Sequence, residues 1–206
     1  MNYSMIIYIL GHLLRFEAIF MVLPTIVGFL YKETDAYIYL GLVLSTYLLG
    51  TLPTYKHPRN RQLHTKDGFI TVALGWIILS IFGALPFTLT GDIPSYIDAL
   101  FETISGFTTT GATILTDVEN MSRGLLFWRS FTHWIGGMGV FVFILAILPM
   151  IGGSTMHLMK AESPGPSVDK FVPKVKDTAK ILYTLYVGIT ILQIICLLLA
   201  KMPLFD

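Results

Sequence analysis

Charge is scarce in this chain. Of its 206 residues only 13% are Asp, Glu, Lys or Arg while 54% are hydrophobic, against roughly a quarter charged in ordinary soluble domains. So little charge cannot cover that much apolar surface with a water-facing shell, and a bilayer is the expected solvent. The net charge of +1 lacks the basic excess that nucleic-acid binding demands, so no nucleic-acid partner is expected. Cysteine is nearly absent: Cys196 stands alone in an apolar run. An intrachain disulfide is thereby excluded, and no compartment can be read from disulfides. His12, His57, His64, His133 and His157 lack the spacing of a zinc site. No nucleophile or metal constellation points to an enzyme. Gly152-Gly153 is too sparse, and lies outside any βαβ context, to serve as a nucleotide loop. No covalently bound cofactor is expected. The first residues also lack the basic leader and small-x-small site of a cleavable signal peptide.

Long hydrophobic runs are what the chain has instead. The first extends to Tyr31, with Pro24 as a kink and with Arg15 and Glu17 two positions apart, hence on different sides of a helix. Both are expected to snorkel to an edge or to pair with neighbouring helices. The second, Ala36 to about Tyr55, is uncharged. Lys56 to Asp67 then carries Lys56, Arg59, Arg61 and Lys66, the composition of a cytoplasmic loop. The third run, Gly68 to about Leu89, is again uncharged. The fourth begins near Gly124 and reaches Pro149, passing Arg129 and His133, which are expected as buried hydrogen-bonding struts. Gly136, Gly137 and Gly139 follow, expected to admit another backbone closely. Gly152 to Lys180 is polar, with three prolines and several lysines, and reads as a second cytoplasmic loop. Ile181 to Ala200 forms a last uncharged run. Alternation puts the N-terminus and both basic loops in the cytoplasm. The expected fold is an all-α, multi-pass integral membrane protein of about five transmembrane helices, with one re-entrant segment.

That segment lies between the third and fourth runs. Tyr96 to Ser105 has apolar Ile97, Leu100, Phe101 and Ile104 at helical spacing, and Ser95 with Asp98 makes a capping-box start. The helix is far short of the roughly twenty residues needed to span a membrane. Ser105-Gly106-Phe107-Thr108-Thr109-Thr110-Gly111-Ala112-Thr113 follows it, and irregular backbone is tolerated at membrane depth only where it is buried in protein or lines a watery cavity. The pattern predicts a pore helix whose C-terminus favours a cation, followed by a filter loop. Asp92, Asp98, Glu102, Asp117 and Glu119 would focus cations at its mouth. Asp98 and Glu102, placed i, i+4 away from the apolar stripe, would otherwise pair with neighbouring basic residues or be solvated.

The SGFTTTGAT stretch, together with WRSFTHWIGGMGVFVFILAILPM after it, resembles the first pore repeat of the Trk-type potassium uptake proteins, relatives of the Ktr and HKT transporters. That resemblance implies a two-helix leader and first cytoplasmic loop over 1–67, a helix–pore loop–helix repeat over 68–153, a cytoplasmic loop over 154–177, and the first helix of a second repeat over 178–206. It implies that K+ is the transported ion and that this chain supplies one quarter of a pore in the cytoplasmic (inner) membrane, the other repeats supplying the rest. Backbone carbonyls of Thr109 and Thr110 would coordinate K+, with Gly111 setting the geometry and Thr108, Ala112, Thr113, Asp98 and Glu102 in support. It further implies a cytoplasmic nucleotide-binding regulatory subunit, docked through Lys56 to Lys66 and Lys160 to Lys176, and a homodimer of the full-length transporter in membrane lipid. The chain is expected to be the N-terminal part of a longer polypeptide. A homotetrameric cation channel and a structural or assembly subunit are the alternatives. Substituting Gly111 by serine is expected to disturb ion selectivity, and substituting Gly50, taken as lipid-embedded, is not.

Overall fold

The computed structural model describes residues 1–58, 64–118, 120–139, 175–203 and 205. Among them every regular element is an α-helix: α1 (Tyr3–Phe20), α2 (Val22–Leu30), α3 (Ala36–Thr54), α4 (Thr65–Gly83), α5 (Leu85–Thr90), α6 (Tyr96–Phe107), α7 (Arg123–Gly137) and α8 (Val175–Leu199). Two of the long apolar runs are broken rods. Pro24 offers no N–H to the Phe20 carbonyl, and α1 gives way to α2 at Met21. Pro86 does the same to the Phe82 carbonyl, and α4 gives way to α5 at Ala84.

Four stretches are long and apolar enough to cross a membrane: Tyr3–Leu30, Ala36–Thr54, Lys66–Thr90 and Lys180–Leu199. Their outward faces are apolar. Leu40, Leu44, Leu48, Leu49 and Leu52 of α3 are all exposed, while the same helix buries Tyr39, Thr46 and Gly50. A helix that turns leucines outward and small or polar residues inward is built for hydrocarbon, where close packing and hydrogen bonds rather than water drive association. Of the expected run from Gly124 to Pro149, α7 accounts for the first part, and residues 140–174, with most of the expected loop, lie outside the described residues, while Lys176 and Lys180, expected in that loop, stand at the start of α8. So do Arg59 and Arg61.

The packing order explains how the ends are arranged. α1 lies along α3 and α4, α2 along α3 and α7, and α6 is held between α4 and α7. At one end Asp67 accepts from the Asn2 N–H at 3.4 Å and from the His64 N–H at 3.2 Å, and the Tyr8 ring packs on His57. At the other, Glu33 caps α7 from the leader, accepting from the Arg123 N–H at 2.5 Å and the Gly124 N–H at 3.0 Å, and Phe205 packs against Tyr31 and Arg123. Lys56 and Lys66 therefore share an end with the N-terminus, and Glu33, Asp35 and Asp92 share the opposite end.

Arg15 and Glu17 meet different fates. Arg15 donates to the Tyr47 hydroxyl at 3.1 Å and lies over that ring. Glu17 is 2% exposed and has no hydrogen bond among the described residues, so the expected pairing is not what the structure shows there.

Candidate functional site

Ser95 opens α6, its hydroxyl accepting from the Asp98 N–H at 3.4 Å as the forward half of the expected capping box. The helix runs to Phe107, two residues beyond the expected end. Most of its apolar stripe is exposed. Ile97, Phe101 and Ile104 are 77%, 46% and 43% exposed, whereas Glu102, Thr103 and Ser105 are buried. In an apolar surrounding it is the polar side chains that need protein partners, and apolar ones gain nothing by hiding.

Glu102 takes the alternative expected for it, pairing with a neighbouring basic residue. It is 1% exposed and is no mouth charge: Oε1 pairs with Nε of Arg129 at 2.6 Å, and Oε2 accepts from the Thr113 hydroxyl at 3.0 Å and the Ile114 N–H at 3.2 Å. Arg129 is thus the expected strut. His133 is not: its ring nitrogen meets the Arg129 carbonyl one turn back at 3.0 Å. Asp92, Asp98 and Asp117 remain exposed, and Glu119 lies outside the described residues. Partial burial of its carboxyl nevertheless pushes Asp92 above the usual carboxylate range, Asp35 and Glu33 push it further, and hydrogen bonds from Ser122 hold it back.

Past Phe107 the helix closes in a Schellman motif, the Thr110 N–H donating to the Ser105 carbonyl and the Thr109 N–H to the Gly106 carbonyl, each at 2.9 Å. Such a motif needs one left-handed residue, normally glycine, and here it is Thr109, with φ of 55°. A β-branched residue in that region costs on the order of 1 kcal/mol. The Thr108 hydroxyl bonds the Ile104 carbonyl at 2.8 Å and meets the Thr110 hydroxyl at 2.7 Å. Gly111 then turns the chain again, with φ of 75° and nothing within 4 Å of where a Cβ would stand. The requirement at Gly111 is conformational, not steric.

The returning chain is fastened to α6. The Ser105 hydroxyl donates to the Ala112 carbonyl at 2.6 Å, so that oxygen is turned into the protein, and Glu102 holds Thr113 and Ile114. Between these anchors no described residue donates to the carbonyls of Thr109, Thr110 or Gly111, and Thr108 to Ile114 are all exposed. Behind the segment, α7 comes so close to the end of α6 that a Cβ on Gly136 would collide with the Phe107 carbonyl, which fits the expected close packing. Trp128, fully buried, donates to the Gly83 carbonyl at 3.0 Å and ties α7 to α4.

Two of these contacts escape sequence reading. The Glu33 cap on α7 spans about ninety positions and the Trp128 link about forty-five, and no local rule joins residues so far apart. Ser105 was within reach: it lies i+3 from Glu102, on the face the returning chain passes.

A family profile for TrkH, described as a cation transport protein, matches residues 37–202. The Trk system potassium uptake protein TrkH of Halomonas elongata is 39% identical over the whole chain, which covers 43% of that protein. TrkG of Escherichia coli K12, also a Trk system potassium uptake protein, is 37% identical over 95% of the chain and 41% of its own length. The crystal structure of the potassium transporter TrkH from Vibrio parahaemolyticus superposes with a TM-score of 0.78 at 33% identity, over 100% of this chain and 41% of that one. The chain spans about two fifths of the length of these relatives. Together with the all-helical fold, these matches establish that the chain belongs to the TrkH cation transport family.

Proposed function

We propose that this chain forms one quarter of a K+ uptake pore, in which the carbonyls of Thr109 and Thr110, with the bend at Gly111, replace part of the ion's water shell. The observation that carries this reading is a run of exposed carbonyls without described donors, bent by left-handed residues at Thr109 and Gly111, at the C-terminus of a twelve-residue helix. That helix end carries partial negative charge, and aligned carbonyl oxygens match the shell that a dehydrated cation loses. Potassium is the ion in the names of the relatives, and three further pore loops from the rest of the polypeptide would complete the ring. In this reading α6 and the loop after it are re-entrant, and the four units are a leader over 1–67, the pore repeat over 68–153, a loop over 154–177 and the next repeat from 178. The end carrying Lys56 and Lys66 faces the cytoplasm of the inner membrane, as the excess of basic residues there supports. A nucleotide-binding regulatory subunit docks on that side, and the full-length transporter pairs as a dimer.

The test is K+ and Na+ uptake by the full-length transporter, at matched membrane expression. Gly111→Ser is expected to relax K+ preference, because a residue with a Cβ resists φ near 75°. The control is Gly41→Ser, since Gly41 has open space around it. Gly50, expected to face lipid, does not serve: a Cβ there would stand 2.8 Å from the Gly11 carbonyl oxygen. Unchanged preference in Gly111→Ser would sink the filter reading and leave an assembly subunit as the better account.

A further inference from the structure

We infer that Glu102 is a selectivity-setting positioning residue: its carboxylate, gripped by Arg129 on one side, fixes the outgoing strand at Thr113 and Ile114 and so sets the spacing of the exposed carbonyls before it. This rests on the filter reading of Thr109 to Gly111.

The loop is restrained at both ends. Its incoming end is held by the Schellman bonds, in which Thr109 and Thr110 donate to the last turn of α6. Its outgoing end is held by two side chains of the same helix, Ser105 on the Ala112 carbonyl at 2.6 Å and Glu102 on the Thr113 hydroxyl and Ile114 N–H. Between the two ends stands Gly111, the most deformable residue of the loop. A ring of carbonyls distinguishes cations by its size or by the number and field of its oxygens, and the anchors on the strand set where those oxygens stand and how many of them are left to face an ion. Stiffness at Gly111 has to come from the anchors on either side of it.

Ser105 also bounds the coordinating set. Its bond turns the Ala112 oxygen inward, so Ala112 contributes no ligand and the available carbonyls end at Gly111. Ala112 was expected in a supporting place, and the support is this carbonyl, not its side chain.

Only a carboxylate can do what Glu102 does. The guanidinium Nε, the hydroxyl and the backbone N–H are all donors, and they converge on the two oxygens of one buried group. A glutamine of almost the same shape must turn its NH2 toward one of these donor sets and leave it unpaired. Aspartate is a methylene too short to span both. The ion pair with Arg129 is correspondingly a means of holding the carboxylate in place, and charge-assisted bonds of this kind are the stronger ones.

The experiment measures K+ and Na+ uptake by the full-length transporter carrying Glu102→Gln, Thr113→Val or Thr113→Ser, beside Gly111→Ser, at matched membrane expression. Glu102→Gln is expected to lower K+ over Na+ preference roughly tenfold, the equivalent of one lost charged hydrogen bond. Thr113→Val, which removes one hydroxyl and keeps the shape, should lower it less. Thr113→Ser, which keeps the hydroxyl, should leave it at the wild-type value. Combining Glu102→Gln with Thr113→Val should add little to Glu102→Gln alone, because both cut the Glu102–Thr113 bond and the double variant loses in addition only the Leu115 N–H bond to the Thr113 hydroxyl, 3.1 Å long. The inference is overturned if Glu102→Gln and Thr113→Val reduce total uptake yet leave the preference unchanged while Gly111→Ser shifts it. Should Glu102→Gln fail to reach the membrane, Thr113→Val against Thr113→Ser decides alone. Indifference of the preference to Gly111→Ser as well would instead bring down the filter reading itself.

Discussion

The crossing of α1 with α3 and the loop after α6 both depend on a glycine, and they use it in opposite ways. Where α1 crosses α3, a Cβ on Gly50 would stand 2.8 Å from the Gly11 carbonyl oxygen and 2.9 Å from the Arg15 nitrogen, so two backbones touch because a side chain is missing. At Gly111 nothing lies within 4 Å, yet φ is 75°. In the crossing the glycine supplies absent volume inside an ordinary helix. In the loop it supplies a backbone conformation that other residues resist. The comparison teaches that helix packing and loop geometry rest on different glycines: a substitution in the crossing should be felt as packing, and one in the loop as altered carbonyl geometry.

The sharpest way to break this comparison is at Gly136, where α7 meets the Phe107 carbonyl. Gly136→Ala should be the most damaging single methyl, costing about 3 kcal/mol or more because backbone, not a flexible side chain, is in the way. Thermal unfolding of the detergent-solubilised full-length transporter would read it, and a stability within experimental error of wild type would show that α7 can retreat without loss. Gly50→Ala comes next, at roughly 1–3 kcal/mol. It separates the two uses of glycine most directly: thermal stability should fall while K+ over Na+ preference holds, the reverse of Gly111→Ser. A selectivity change in Gly50→Ala would mean that the crossing and the loop are coupled.

Glu33→Gln tests whether the turn between α2 and α3 braces α7. Removing the charge from the α7 N-terminus, where Glu33 accepts from Arg123 and Gly124, should cost about 1 kcal/mol and lower the unfolding midpoint modestly. An unchanged midpoint would show that the cap is dispensable. The smallest effect belongs to Gly41→Ala, which fills open space on the outer face of α3. It should leave uptake untouched and raise stability by roughly 0.5–1 kcal/mol, as expected for glycine replaced within a helix.

Sequence alone determined the solvent and the succession of elements. The poverty of charge, the run lengths and the proline at 24 were enough to place membrane helices and the break in the first of them, because hydrophobic length and a missing N–H act locally. The short helix before a Thr/Gly segment was legible for the same reason, as was the glycine that needs a left-handed φ. Tertiary structure decided everything that depends on which side of a helix meets what. Periodicity shows that α6 has an apolar stripe but not that the stripe turns outward, since in hydrocarbon the buried face is chosen by where polar partners lie. Glu102 therefore reads from sequence as one of five acids near a mouth, and only the approach of Arg129 from α7 and of Thr113 and Ile114 from the returning chain makes it an internal clamp. Gly50 likewise reads as one more glycine in an apolar helix, and only the path of α1 makes it a crossing point. A helix face is a local property of the chain, whereas its partner is a property of how distant segments pack.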